Sequence, residues 1–136
     1  MEAALGTWRT DASRSHKLVE LASASGMPKE FCTMEVLGNA LVTISKDGDL
    51  YTTRTENPGL PAKQMVYRLG EPFETENYSG KKYKCIITED QGKILEKLTV
   101  ELGFKVNTVR EINGDEMSVV TTTPDRKTYT QFLVRV

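Results

Sequence analysis

The sequence predicts an all-β protein: a ten-stranded antiparallel up-and-down β-barrel with a helix-turn-helix lid after the first strand. Three observations carry that expectation. Gly48, Gly59, Gly70, Gly80, Gly92, Gly103 and Gly114 stand ten to twelve residues apart, and Pro124-Asp125 continues the series. Turn signals at such short, regular intervals mark an antiparallel meander that packs as a sandwich or closes as a barrel. The chain also holds 16 Thr and 11 Val against 7 Ala, the β-branched bias of a pleated surface. Finally, a single segment, between Ser13 and Gly38, abandons the period of two.

The elements follow in order. A strand over 6–12 precedes the irregular segment. Within that segment Leu18, Val19, Leu21 and Ala22 fall at helical spacing, and Ser25-Gly26 punctuates. Pro28 suits the first turn of a second helix, which carries Phe31, Met34 and Glu35 and ends near Leu37-Gly38. Nine strands then meander over roughly 39–46, 49–56, 62–68, 72–76, 81–89, 93–100, 104–112, 115–122 and 126–134. Asp47-Gly48 and Asn113-Gly114 favour the positive φ angles of two-residue hairpin loops. So many sequential strands lose their unpaired edges by closing the sheet on itself, which leaves the helical pair to cover one mouth. With 136 residues the chain reads as a single domain, 1–136. At this size about two-thirds of the unfolded surface is buried on folding, so no disulfide or metal staple is needed.

Charge and motifs exclude several function classes. Eighteen basic residues face 19 acidic ones, a net charge of −1, whereas a duplex-binding surface needs a clustered basic excess. The longest basic run, Lys81-Lys82-Tyr83-Lys84, is too short to supply one. No HExxH, GxSxG, P-loop, GxGxxG or zinc-type Cys/His spacing is present, so neither an enzyme nor a cofactor is expected. His16 stands alone and reads as a surface or helix-start residue. The opening Met1-Glu2-Ala3-Ala4-Leu5-Gly6-Thr7-Trp8 lacks the basic and apolar regions of a secretory signal. No apolar stretch is long enough to cross a membrane as a helix. Cys32 and Cys85 are far apart and read as free thiols and apolar fillers, in keeping with a soluble cytoplasmic protein. Asn77-Tyr78-Ser79 fits a glycosylation sequon but reads as a turn.

Alternation identifies what the barrel encloses. In the 104–112 strand one face carries Phe104, Val106, Thr108, Arg110 and Ile112, and the other Lys105, Asn107, Val109 and Glu111. Arg110 therefore lies on the apolar face. A buried guanidinium without a partner costs several kcal/mol, so it needs an anion or dense hydrogen bonding. Three readings fit: Arg110 holds a ligand carboxylate, it pairs with a buried Glu or Asp as a structural strut, or the strand twists so that it reaches solvent. In the last strand Tyr129, Gln131 and Leu133 share one face and Thr130, Phe132 and Val134 the other. If the first set points inward, a phenol and an amide join Arg110 in a site suited to a carboxylate.

Four segments in register then resemble the intracellular fatty-acid-binding proteins and their retinoid-binding relatives. They are Leu5-Gly6-Thr7-Trp8, Arg54-Thr55-Glu56, Tyr67-Arg68-Leu69-Gly70 with Phe73, and Thr108-Val109-Arg110-Glu111-Ile112-Asn113. The resemblance implies a large internal cavity and reversible, non-catalytic carriage of a long-chain fatty acid or similar hydrophobic molecule by a monomer. It also implies that Arg110 holds the ligand carboxylate. The family's second anchor, an Arg-x-Tyr in the last strand, is missing. Gln131 and Leu133 stand there if the preceding turn is one residue longer, Thr130 and Phe132 if it is not. The expected ligand-binding residues are Arg110, Gln131, Tyr129 and Leu133. Leu18, Met27 and Phe31 of the lid and Leu60, nearest to the family's portal phenylalanine, are expected at the portal. Gln131 resembles the glutamine of retinol-binding relatives, so a retinoid carrier and a packed barrel without ligand are the alternatives. Lys17 and Lys29 on the lid offer transient contact with an anionic membrane.

Overall fold

The β-branched, turn-punctuated segments pair sequentially into a single antiparallel sheet of ten strands. The structure is a computed structural model that describes residues 1–24, 26–99 and 105–136. Expectations placed on Ser25, Val100, Gly103 and Phe104 lie outside the described residues. The strands are β1 (Gly6–Thr10), β2 (Leu41–Asp47), β3 (Leu50–Glu56), β4 (Lys63–Tyr67), β5 (Phe73–Glu76), β6 (Lys82–Asp90), β7 (Lys93–Thr99), β8 (Lys105–Asn113), β9 (Glu116–Thr122) and β10 (Thr128–Arg135). All ten expected strands form, with ends moved by a few residues at most.

The spatial order is β4-β3-β2-β1-β10-β9-β8-β7-β6-β5. First and last strands therefore pair, with Trp8 opposite Arg135 and Thr10 opposite Leu133. The one break in the sequential pairing falls between β4 and β5. Side chains bridge that seam instead. Tyr67 of β4 stacks on Phe73 of β5, centroids 5.2 Å apart at 16°. Lys63 of β4 donates to the carbonyl oxygens of Glu76, the last residue of β5, and Asn77, at 2.8 and 2.7 Å.

Hairpin register reveals how the glycines are used. Asp47 pairs with Leu50 and Asn113 with Glu116, so the two-residue loops are Gly48-Asp49 and Gly114-Asp115. Each glycine thus opens its loop, with φ of 65° and 64°, one position later than the Asp-Gly and Asn-Gly readings imply. The Gln91-Gly92 loop between β6 and β7 has positive φ at both residues, the type I′ turn whose twist suits a hairpin.

The lid departs from two clean helices. The first, α1, spans Leu18–Ala24 and buries Leu18 and Ala22, one turn apart. The expected second helix is split into a 3-10 turn over Lys29–Phe31 and a short helix α2 over Met34–Leu37. Thr33 causes the break: its backbone is extended, and its Oγ1 accepts the Val36 N–H at 3.3 Å as an N-cap. A threonine hydroxyl competes with the helix ladder wherever it can cap. At the opposite end an unexpected 3-10 turn over Glu2–Ala4 closes the floor. Trp8 Nε1 donates to its Ala4 carbonyl at 2.9 Å, and the Arg135 guanidinium lies 4.2 Å over the indole.

Candidate ligand site

Cross-strand register determines what faces the interior, because directly opposed residues share a face. Thr108, Arg110 and Ile112 of β8 oppose Thr121, Val119 and Met117 of β9, and those three β9 residues are buried. Arg110 therefore projects from the inner wall, as the alternation predicts. The same β9 residues oppose Tyr129, Gln131 and Leu133 of β10. That settles the weaker face assignment: Tyr129, Gln131 and Leu133 point inward, and Thr130, Phe132 and Val134 do not. Tyr129 and Leu133 are buried.

Facing inward does not bring these residues into contact. Arg110, Val119 and Gln131 form one row across three strands, with Val119 between the guanidinium and the amide. Arg110 and Gln131, expected to hold a ligand carboxylate together, thus share a row two strands wide. On its other side Arg110 meets a resident anion. Its Nη2 lies 3.4 Å from Glu96 Oε2 on β7, and its Nη1 lies 3.8 Å from the Met117 sulfur. Glu96 is buried at 7% exposure, which makes this contact decisive for the site. The pair is single-armed and long for a charge-assisted bond, unlike the bidentate carboxylate grip open to arginine.

Glu96 is the partner of Arg110 that the analysis of β8 alone misses. The signal was present one strand earlier: Ile94, Glu96 and Leu98 share a face by alternation. A carboxylate between two aliphatic residues there matches the arginine between apolar residues on β8. Cys85, expected as a simple filler, also belongs to this cluster, its Sγ 3.9 Å from Glu96 Oε1. Burial pushes the Cys85 thiol far up, with the Glu96 charge adding to the effect. The Tyr67 phenol is likewise pushed up by burial and shares a 2.8 Å hydrogen bond with the Thr53 hydroxyl.

The cavity beside Arg110 is small. Thr53, Tyr67, Glu96 and Arg110 provide its polar lining, while Met1, Ile44, Met65, Ile87 and Ile94 provide the apolar remainder. It measures about 10 Å³, room for one water. A larger occupant requires side chains to move, and Met1 and Met65 are unbranched thioethers suited to repacking.

At the other mouth the expected portal residues do converge. Leu18 and Met27 are buried in one apolar cluster with Ala22 and Leu37, and Phe31, Leu60 and Tyr78 pack against it. The lid thereby meets both neighbouring turns. Gly59 has φ of 84°, and a Cβ there would stand 2.7 Å from the Phe31 ring. Any side chain at 59 would push the lid away. Asn57 donates from Nδ2 to the Tyr78 hydroxyl at 2.8 Å, tying the two turns together. Asn77 forms the turn expected of it, its Oδ1 accepting from the Ser79 and Lys81 N–H groups.

Among the described residues no cluster of His, Cys, Asp and Glu could hold a metal ion, and no helix is long and apolar enough to cross a membrane.

No protein-family model matches the chain. Among curated proteins, a fatty-acid-binding protein of Tyrophagus putrescentiae is 32% identical over 115 residues, covering 79% of this chain and 86% of the relative. The 14 kDa fatty acid-binding protein of Schistosoma mansoni is 27% identical over 128 residues, 92% of each chain. Among solved structures, fatty-acid-binding protein 1 of Echinococcus granulosus superposes with a TM-score of 0.84 at 20% identity, over 100% of this chain and 99% of that one. The identity to these relatives and the shared fold agree, and the chain belongs to the fatty-acid-binding protein family.

Proposed function

We propose that the protein is a cytoplasmic, monomeric, non-catalytic carrier of a long-chain fatty acid, held inside the barrel with its carboxylate at Arg110. The observation that carries this reading is the Arg110 guanidinium on the inner wall of a family barrel, whose contact with an acid is long and single-armed. The acyl chain would supply most of the affinity, about 0.8 kcal/mol for each methylene buried. Arg110 would set orientation, with Gln131 reached through an ordered water along their shared row. The portal cluster of Leu18, Met27, Phe31 and Leu60 is where the barrel would part for the ligand.

Replacing Arg110 with Ala tests the reading. Displacement of a fluorescent probe is expected to show oleate weakened about tenfold or more, the scale of a lost charge-assisted hydrogen bond. Oleyl alcohol should change about twofold at most. Equal weakening of both would refute a carboxylate subsite at Arg110.

The resident Arg110–Glu96 pair and the narrow cavity favour a second reading, a packed barrel in which Arg110 is a strut. Lipid extraction of the purified protein followed by mass spectrometry separates the two, because a packed barrel releases no stoichiometric lipid.

A further inference from the structure

Arg110 already has a carboxylate partner in Glu96. This argument rests on the carboxylate subsite proposed above and concerns how that subsite is vacated. In the structure the guanidinium of Arg110 has its counter-ion already, at 3.4 Å, on the neighbouring strand. Ile94 of β7 opposes Arg110 and Glu96 opposes Thr108, so the two side chains reach each other diagonally within one paired ladder. Ile87 of β6 opposes Glu96, and Ile94 of β7 opposes Arg110, so buried isoleucines flank the pair on both strands.

A second carboxylate arriving at Arg110 would place two negative charges against one positive charge in a low-dielectric interior. Among the described residues, Arg110 is the cation that acts on both Cys85 of β6 and Tyr67 of β4, which also feel the Glu96 charge, and burial favours the neutral form of each. At the floor the Met1 amino group is taken up by Glu89. Two carboxylates confined to one site relieve their repulsion by sharing a proton.

We infer that Glu96 is the specificity-determining residue of the site, a built-in competitor that must take up one proton when a carboxylate ligand binds. The proton comes from solvent and adds to a Glu96 carboxylate oxygen. The ion pair with Arg110 is exchanged for one between Arg110 and the ligand, and no other bond changes. The site stays neutral overall before and after. A neutral headgroup such as an alcohol leaves the Arg110–Glu96 pair in place and binds without a proton. The resident acid thus raises the affinity of neutral lipids relative to acids, and makes acid binding tighter as pH falls.

Calorimetry in two buffers of different ionisation enthalpy tests this on the unaltered chain. Dodecanoate serves as the acid, because it stays monomeric and ionised, with dodecanol as its partner. Across about pH 6.5 to about pH 8.5, dodecanoate is expected to take up protons on binding, at most about one per molecule, and to weaken as pH rises, by at most about tenfold per pH unit. Dodecanol should draw none. In Glu96→Gln, an isosteric change that cannot ionise, dodecanoate should bind without proton uptake and more tightly, by about tenfold or more at the upper end of this range, with the gap narrowing as pH falls. Dodecanol should stay within about twofold. Proton uptake near zero in the unaltered chain, or uptake that persists in the variant, overturns the assignment to Glu96. These outcomes are distinct from failure of the carboxylate subsite itself, which shows as equal weakening of acid and alcohol in Arg110→Ala.

Discussion

The barrel holds two apolar clusters of opposite construction, one on its floor and inner wall, the other under its lid. The first is anchored by Trp8 and Met117, both 0% exposed, on strands paired along their length. The second gathers Leu18, Ala22, Met27 and Leu37 from a seven-residue helix, a four-residue helix and connecting turns. Burial in the first is backed by continuous ladders, which hold the backbone in place when its side chains shift. The lid has no such ladder: its helices are too short to be stable alone, and packing is what keeps them formed. Stability is thus concentrated at the end where the charged pair sits, and local opening at the end where a ligand would pass.

Truncating each cluster should expose the asymmetry. Trp8→Ala removes the floor's largest buried side chain together with its bond to Ala4 and its stack under Arg135. About 3–5 kcal/mol of stability should be lost, read as a fall in the urea midpoint. A loss below about 1 kcal/mol would show that the floor is not the stable end. Leu18→Ala should cost less, about 2 kcal/mol, because the lid can settle over the gap. Its distinguishing sign is faster probe release from a barrel whose floor amides exchange as slowly as before. Unchanged release would remove the lid from the ligand's path.

The seam between β4 and β5 offers a gentler perturbation. Lys63 is held by two carbonyl oxygens and by the face of Tyr78 at 4.9 Å. Burial pulls its ammonium below the ordinary lysine range. The cation is therefore disfavoured in the folded chain, and this contribution to stability rises with pH through the alkaline range where the unfolded chain still binds the proton. Lys63→Met keeps the stem and removes the donors. Amides of 73–76 should then exchange several-fold faster while the global midpoint moves by about 1 kcal/mol or less. If those amides are unaffected, the stacked Tyr67–Phe73 pair alone closes the seam.

The smallest effect is chemical rather than energetic. Thiolate is the reactive form of cysteine, and the raised Cys85 thiol holds almost none at neutral pH. Native protein should take up iodoacetamide only at the half-buried Cys32, with Cys85 labelled after denaturation. Prompt labelling of Cys85 would mean that the inner wall opens as readily as the lid.

Much of this architecture was legible in the residues alone. Gly48, Gly92 and Gly114 announce hairpins because few other residues accept a positive φ, and the period of two places Thr108, Arg110 and Ile112 on one face wherever the strand lies. Both are local properties, decided within a few bonds of the backbone. The lid was less readable, since Thr33 could either continue a helix or cap one, and only the chain's path to β2 selects between them.

What the tertiary structure decided is which residues meet. Strand order fixes that Val119 separates Arg110 from Gln131, and that β7 brings Glu96 against the guanidinium. Alternation assigns a side, but a side has many neighbours. The identity of the anion beside a buried cation depends on the register of two strands, a non-local quantity set by ladder hydrogen bonds and core packing together.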